Sequence, residues 1–370
     1  MTTIDNCNVR LPLLVVAAAL LLPCAGMAMP GMKPDAKPDA SAQGGTTQVT
    51  CPVTGQTFAV GEDGQMVPVE SAGQGSGEPE SSAAAPERVT LWLDMYRAEP
   101  LPFANVLEDL GAVDVVYVGE THTLKRHHQW QAEILESLIE ARDGKLVLGL
   151  EQIEQFYQPQ VDRFNAGEID FDELAKEIDW RRRWSNYEDY RPLLELAQAK
   201  GVTVLALNGR AETIRKIGRK GLDSLDRGER KELPRQMNFD DPDYRRLLDQ
   251  LMMVHASVDE SVLDRIFQAQ VARDENMAQA LADFLEKNPG YAVMVVAGSG
   301  HLAYGLGTVD RVRARLPELD DRIVLMTVSG ELVLSEQEEK MARPVTITHG
   351  DLRYLRRPKA DYLQLTEPEE

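Results

Sequence analysis

Two glycine-bounded turns, each containing a histidine, are the sequence features best suited to chemistry. Gly119–His122 has the sequence GETH, and Gly298–His301 has the sequence GSGH. Each turn follows a short apolar run rich in β-branched residues, which is typical of a buried parallel strand. Because ligand sites in open α/β sheets lie at the carboxyl ends of the strands, we expect His122 and His301 to face one cleft.

Other polar side chains follow the remaining predicted strands. Glu120 follows the first strand, Glu151 the second and Asn208 the third. Two imidazoles and two carboxylates suit a site for Zn²⁺, Mn²⁺ or Fe, whose metal ligands would be Glu120, His122, Glu151 and His301. The same groups can act as general acid and base without a metal. Helix capping is the structural alternative, although Glu and His are not favoured capping residues.

Two further pairs of residues have weaker support. Asp274 and Glu275 lie on a predicted long helix, where they either add a ligand, orient a histidine or face solvent. His127 and His128 begin the first predicted helix. We expect His127 to point back toward the cleft and His128 to be an exposed residue at the helix start.

A basic aromatic cluster stands out in this chain. Residues 180–192 contain two Trp, two Tyr and four Arg, although aromatic residues make up only 6% of the sequence. A helix junction with packed rings and arginine stems would explain this composition structurally. A functional explanation is a flat anionic ligand, because arginine pairs with carboxylates and a tyrosinate can bind haem iron.

The elements that position these groups alternate along the chain. Strands are predicted over residues 115–119, 146–150, 202–207, 291–297 and 322–328, and a helix over residues 125–141. The helical stretch between strands three and four is too long for a simple crossover, so it predicts a lid or a dimerisation arm. The sequence therefore predicts an α/β fold: a mostly parallel sheet flanked by helices, with a large helical insertion between strands three and four.

Composition divides the chain into four segments. Residues 1–28 have the charged start, short apolar run and small residues of a secretory signal peptide. Residues 29–88 are rich in Gly, Ser, Pro and acidic residues, which predicts a flexible low-complexity tether with a small ordered patch near residues 50–69. The α/β domain is expected over residues 89–335, followed by a charged and irregular tail over residues 336–370.

Bulk properties limit location and partners. The signal peptide predicts export to the periplasm or outer membrane. Cys24 stands where a lipid-modified cysteine would stand, so membrane attachment through Cys24 is an alternative to plain secretion. The net charge of −20 argues against nucleic acid as a partner, because phosphate binding needs a basic surface. Cys51 is expected to be an incidental thiol or the remnant of a zinc knuckle.

Several of these segments, taken in order, resemble the ChaN-like haem-binding lipoproteins of the Tiki/TraB/erythromycin-esterase-like superfamily. The matching segments are Gly119–His122, Glu151, Tyr190–Leu193, Ala206–Asn208, Arg273–Ala278 and Gly298–His301. The resemblance implies an α/β sheet domain, an envelope location and the handling of haem or iron. Tiki relatives with paired Gly-x-x-His motifs are metal-dependent peptidases, so the same residues also imply a second activity.

Three functional hypotheses follow. The first is a non-enzymatic haem-binding protein of the bacterial envelope, acting in haem or iron uptake or trafficking, alone or as a homodimer. Its haem would be bound by His122, His301, Tyr190, Arg182 and Arg183, with Tyr190 on the iron and the arginines on the propionates. The second is a peptidase or esterase in which the four predicted ligands hold zinc or manganese and activate a water. The third is a non-catalytic scaffold.

Overall fold

The computed structural model describes residues 47–50, 57–60, 66–68, 90–252, 259–328 and 349–366. The predicted signal peptide with Cys24, the residue Cys51 and most of the predicted tether lie outside the described residues. The chain forms two compact units, a small one over Met27–Glu87 and a large one that includes Arg88–Glu370.

The small unit contains an antiparallel sheet in the order β1-β2-β3. Its strands are β1 (Thr47–Thr50), β2 (Thr57–Val60) and β3 (Met66–Pro68). These strands lie in or beside the stretch of residues 50–69, for which the sequence predicts a small ordered patch.

The large unit is built on one eight-stranded sheet. Its strands are β4 (Thr90–Asp94), β5 (Glu99–Leu101), β6 (Val115–Glu120), β7 (Leu146–Glu154), β8 (Thr203–Asn208), β9 (Ala292–Gly298), β10 (Asp321–Val328) and β11 (Tyr362–Thr366). The strand order is β5-β4-β11-β10-β6-β9-β7-β8. All neighbours from β11 to β8 are parallel, whereas β4 and β5 are antiparallel additions. The predicted mostly parallel α/β sheet is confirmed.

Helices cover both faces of this sheet. They are α1 (Phe103–Leu110), α2 (Lys125–Ala141), α3 (Gln158–Asn165), α4 (Phe171–Glu177), α5 (Trp180–Arg183), α6 (Arg191–Ala199), α7 (Ala211–Lys220), α8 (Pro242–Met252), α9 (Glu260–Lys287), α10 (Thr308–Arg315) and α11 (His349–Leu352). Short 3₁₀ turns include Gln155–Tyr157 and Ser299–His301. Within the described ranges, none of the helices is long and apolar enough to cross a membrane.

Alternate residues of each central strand pack into different cores. In β6, Val116 and Val118 face a core shared with α1, α2, α3 and α6, whereas Val115 and Tyr117 face a core shared with α9 and α10. All six residues of β6 are therefore buried. Because both faces of these strands are buried, their sequences are continuous apolar runs. The same packing holds the carboxyl ends of the strands beside each other.

The predicted insertion between strands three and four is helical, and its longest helix packs on the sheet. Helix α9 buries Met277, Ala278 and Leu281 in the same core as Val295 of β9. Its apolar stripe covers one face of the sheet, so the helix forms a structural layer and carries its own polar residues to the edge of the sheet.

The prediction of an irregular tail is wrong for residues 362–366. These residues form β11, which pairs with β10 on one side and β4 on the other. Their burial alternates, with Tyr362, Gln364 and Thr366 turned inward. The strand is short and only weakly apolar, so its sequence gives little signal; it is stabilised by hydrogen bonds to two partners that are distant in sequence.

Candidate functional site

Four buried polar residues lie where three neighbouring central strands end. Glu120 is the last residue of β6 and Glu151 lies in the carboxyl-terminal part of β7. His122 follows β6, and His301 ends the 3₁₀ turn directly after β9. Because β9 lies between β6 and β7, the sheet brings these residues to one edge, as the sequence predicts.

Glu120 is a buried carboxylate surrounded by hydrogen-bond donors. The His122 Nδ1 atom lies 2.7 Å from its Oε1 atom, and the His128 Nδ1 atom lies 3.2 Å from its Oε2 atom. The other donors are the Gln131 amide at 2.5 Å, the Gln152 amide at 2.8 Å and the Tyr190 hydroxyl at 2.5 Å. Such a cage favours the ionised form.

The electrostatics of Glu120 follow from this cage. Burial by itself raises the pKa of the carboxyl group, but the hydrogen bonds and charges of His122 and His128 outweigh burial and hold the pKa well below its usual range. The Glu120 carboxylate is therefore an anion that orients His122. Because the Nδ1 atom of His122 faces Glu120, Nε2 is the ring nitrogen that faces away from this carboxylate.

His301 lies between two carboxylates. Its Nδ1 atom is 2.7 Å from the Asp274 Oδ1 atom, and its Nε2 atom is 3.2 Å from the Glu151 Oε1 atom. Burial lowers the pKa of this imidazole, but Glu151 and Asp274 raise it to about 10. His301 is thus a buried cation at neutral pH. Asp274 is fixed in turn by the hydroxyl groups of Tyr244 and Thr308, each at 2.8 Å.

The Glu151 carboxylate contacts both His301 and the backbone at Gly298. Its Oε2 atom accepts a hydrogen bond of 2.7 Å from the Gly298 backbone N–H. Burial raises the pKa of Glu151, but His301, His122 and this backbone bond bring it down to about 2. A Cβ atom on Gly298 would lie 2.8 Å from the His122 Nε2 atom and 3.6 Å from the Glu151 Oε2 atom. The absence of a side chain at Gly298 therefore makes room for His122.

The four predicted metal ligands are arranged as ion pairs. Both nitrogens of His301 face carboxylates, and both oxygens of Glu120 face donors. In the part of the chain that the structure describes, no group of three or more His, Cys, Asp or Glu side chains is placed to hold a metal ion. The pair of Glu120 and His122 suits proton transfer, because the carboxylate orients an imidazole whose second nitrogen does not face a carboxylate.

Tyr190 does not occupy the position expected of a haem iron ligand. The residue is fully buried, and its hydroxyl donates to Glu120. Burial and the Glu120 charge raise its pKa well above the usual value, which disfavours the tyrosinate that iron binding requires. In this structure Tyr190 supports Glu120 from inside the core, and its predicted role as an iron ligand stays a prediction.

The two predicted propionate partners face acidic residues. The Arg182 side chain is 75% exposed and lies 2.7 Å from Asp179. Arg183 lies 2.6 Å from Glu154 and 3.2 Å from Glu212. Both arginines are therefore paired with carboxylates in this structure, and their predicted contact with haem propionates stays a prediction.

The sequence missed the residues that complete the cage of Glu120. His128 is buried rather than exposed, and Gln131 and Gln152 both donate to the carboxylate. The spacing of His128 and Gln131 could have indicated their shared role. They are three residues apart, which places them on one face of helix α2, before the apolar residues of that helix. The expectation that Asp274 orients a histidine matches its contact with His301.

Two aromatic rings, one exposed and one partly buried, lie in the 3₁₀ turn after β7. Phe156 is 59% exposed, and its ring centroid is 5.1 Å from that of Tyr157 at an angle of 80°. The Arg210 guanidinium lies 4.7 Å from the Phe156 centroid, and that of Arg183 lies 4.9 Å from the Tyr157 centroid.

Comparison with known proteins places this site in a family. Residues 106–312, more than half of the chain, match the model of a family described as "Haem-binding uptake, Tiki superfamily, ChaN". A solved structure, described as cofacial heme binding to ChaN of Campylobacter jejuni, superimposes with a TM-score of 0.57 at 18% identity. The superposition covers 76% of this chain and 98% of that one. At this identity, the likeness shows the fold.

A plant protein is also similar. Protein RETICULATA-RELATED 5, chloroplastic, from Arabidopsis thaliana, is 25% identical over 258 residues. The similar region covers 64% of this chain and 34% of the plant protein. This chain therefore matches about a third of that relative, and the match carries no activity with it.

Proposed function

We propose that this chain, which belongs to the haem-binding uptake family of the Tiki superfamily (ChaN), binds haem and acts in haem or iron uptake or trafficking in the cell envelope. The match over residues 106–312 is the observation that carries the proposal. That range runs from α1 into α10 and includes every polar residue of the site at the strand ends. The secretory features of residues 1–28 support the envelope location, and Cys24 is a candidate lipid anchor.

The proposed binding state is a homodimer around haem. The solved relative from Campylobacter jejuni is described by the words "cofacial heme binding". Two copies of this chain would supply the two haems of a cofacial pair. No catalytic step is required of a protein with this role.

Titration with haemin tests the proposal. The purified protein should shift the Soret band of haemin, and the change should saturate at a fixed ratio of haemin to chain. Size-exclusion chromatography with light scattering, performed with and without haemin, then reports the dimer. A wild-type protein that leaves the haemin spectrum unchanged contradicts haem binding.

Hydrolysis is the second candidate function, and the two His–carboxylate pairs support it. Glu120 orients His122, whose Nε2 atom faces the space beside Gly298. An imidazole in this position can take a proton from a water that attacks an ester or a peptide. A divalent metal such as zinc or manganese is the alternative way to activate that water.

Activity assays separate the two functions. The protein is incubated with ester and peptide substrates, with and without added Zn²⁺ or Mn²⁺. Hydrolysis that the change His122→Asn abolishes, in a protein that shows no haemin-induced spectral change, favours the hydrolase. Haemin binding that the same change leaves intact, without hydrolysis, favours the haem protein.

A further inference from the structure

We propose that three exposed arginines, Arg246, Arg353 and Arg356, form a surface that docks on the anionic phospholipid headgroups of a membrane. We call these three residues the basic patch. The proposal goes beyond haem binding, because it gives the chain a second interaction surface. It uses only the envelope location of the proposed function, where a membrane of this kind is within reach.

The segment that carries two of the three arginines is basic in a strongly acidic chain. Residues 352–360 contain three Arg, one Lys and no acidic residue, whereas the whole chain has 60 acidic and 40 basic residues. Arg357 pairs with Asp310 at 2.7 Å, so its charge is already balanced. Arg353 and Arg356 are exposed, and neither pairs with a carboxylate among the residues that the structure describes.

Arg246 joins these two arginines from helix α8. Its guanidinium lies 4.2 Å from the centroid of the Tyr354 ring, and Tyr354 directly follows Arg353 in the chain. The Arg246 side chain is exposed, and within the described ranges it has no carboxylate partner. Burial raises the pKa of Tyr354 to about 12 although the Arg246 charge opposes the rise. The phenol is therefore neutral and leaves the charge of Arg246 unbalanced.

The fold holds the basic patch in place. Leu355 packs against an apolar cluster built partly from helix α8. The Tyr354 hydroxyl donates to the Gln250 Oε1 atom at 3.2 Å, and the Gln250 amide donates to the Asp351 backbone carbonyl at 3.1 Å. Because the segment is fixed against α8, its backbone loses little further freedom when the arginines bind a partner.

Helix α7 provides a contrast, because its cations already have partners. Arg215 lies 3.3 Å from Glu212, and Lys216 lies 2.5 Å from Glu229. The arginines of the basic patch have no such carboxylates, so their N–H groups are available to an anion from outside the chain. A guanidinium donates two parallel hydrogen bonds to phosphate oxygens, and phosphate is the anionic group of phospholipid headgroups.

The half-exposed ring of Tyr354 favours a membrane over an acidic protein. Tyrosine is enriched at the boundary between lipid and water, where its ring and its hydroxyl group meet different surroundings. Basic segments beside a membrane are attracted to anionic lipids, and each cation strengthens binding about fivefold, the equivalent of about 1 kcal/mol. Three cations therefore give a weak contact that orients the exported chain.

The net charge of −20 does not prevent this contact. At physiological ionic strength the screening length is about 8 Å, so acidic residues farther than this from the membrane contribute little. Arg353 and Arg356 are three residues apart, which is at most about 11 Å along the chain, so their charges act together on one region of the membrane.

Vesicle sedimentation tests the basic patch. The exported protein is purified with the change Cys24→Ser, so that no acyl chain contributes to binding. It is mixed with phosphatidylethanolamine vesicles that contain phosphatidylglycerol, or with vesicles of phosphatidylcholine alone. We expect binding only to the vesicles with phosphatidylglycerol, and release in about 1 M NaCl, where the screening length is about 3 Å. Arg353→Gln combined with Arg356→Gln should weaken binding about 25-fold, two steps of about fivefold.

The matched control removes two other exposed cations. Lys220→Gln combined with Arg227→Gln changes the net charge by the same amount at residues outside the basic patch, and it should leave vesicle binding unchanged. Circular dichroism confirms that both double variants are folded. Haemin titration of the arginine double variant should match the wild type, because neither arginine belongs to the site at the strand ends.

Each outcome decides one question. A wild-type protein that does not sediment with phosphatidylglycerol vesicles, or that binds phosphatidylcholine equally well, overturns the basic patch. Equal losses in the two double variants also overturn it, because they would show that only the total charge matters. Binding to polyglutamate without binding to vesicles would assign these arginines to an acidic protein instead. Vesicle binding without haemin binding would retain the basic patch while the proposed function fails.

Discussion

The Nδ1 atom of His301 lies 2.7 Å from the Oδ1 atom of Asp274, and this contact joins the turn after β9 to the middle of helix α9. Both groups are buried. The contact links the insertion between strands three and four to the motif at the edge of the sheet, so the folding of α9 and the geometry of the site depend on each other.

Asp274→Asn should destabilise the protein strongly. The change leaves the His301 imidazolium without one of its two carboxylates, and breaking a buried ion pair costs about 3–5 kcal/mol. Urea denaturation at neutral pH measures the loss. The matched control is Asp172→Asn, whose side chain is 71% exposed and pairs with Arg191; this change should cost far less, because solvent screens an exposed pair. Equal losses in the two variants would contradict the role of Asp274.

The stability contributed by His301 should disappear in alkaline solution. Its pKa rises from 6.5 to about 10 on folding, so the folded state binds the proton more tightly than the unfolded state does. The contribution is complete below pH 6.5 and is lost as the pH rises toward 10. The slope approaches about 1.4 kcal/mol per pH unit in this window. The measurement compares the free energy of unfolding of the wild type with that of His301→Gln across this pH window. The difference between the two should fall as the pH rises. A constant difference would show that the His301 pKa does not change on folding.

Gly119→Ala and Gly218→Ala should change stability in opposite directions. A Cβ atom at Gly119 would overlap the buried Leu325 side chain, and overpacking of this kind costs about 1–3 kcal/mol. At Gly218, inside α7, the nearest atom is the Ala269 Cβ at 3.7 Å, so alanine fits there and should stabilise the helix by about 0.5–1 kcal/mol. Thermal unfolding of both variants checks the signs, and destabilisation by Gly218→Ala would contradict the packing around α7.

Tyr190→Phe should lower stability without weakening haemin binding. The change removes one hydrogen bond to the ionised Glu120, worth about 1.5–3 kcal/mol, and keeps the ring in the core. Urea denaturation and haemin titration of the same preparation measure the two effects. A variant of unchanged stability that no longer binds haemin would restore Tyr190 as the iron ligand.

The parts of the fold that depend on local pattern could be predicted from the sequence. The helix over residues 125–141 has the predicted bounds, and the central strands begin and end within a few residues of their predicted limits. Each has an apolar run or stripe of its own. The strand β11 has no such run, because its stability comes from pairing with β10 and β4, and pairing between distant segments leaves little trace in a local window.

The candidate site could be predicted in part for the same reason. Glycine and histidine at the strand ends gave the positions of His122 and His301. The sequence could not show that Tyr190 turns inward toward Glu120, because a tyrosine beside arginines suits both an exposed ligand and a buried donor. It also could not show that Phe156 is held in solvent, since apolar side chains are expected in the core.

The place of β11 in the sheet sets an order of events during synthesis. The hairpin of β4 and β5 leaves the ribosome early, yet the sheet neighbour of β4 is β11, whose residues 362–366 are made much later. Until then, β4 has an unpaired edge, and joining it to the sheet requires closure of a very long loop. The sheet is therefore completed only after the rest of the domain has been translated, and a chain that stops before residue 362 would leave the early hairpin without its neighbour.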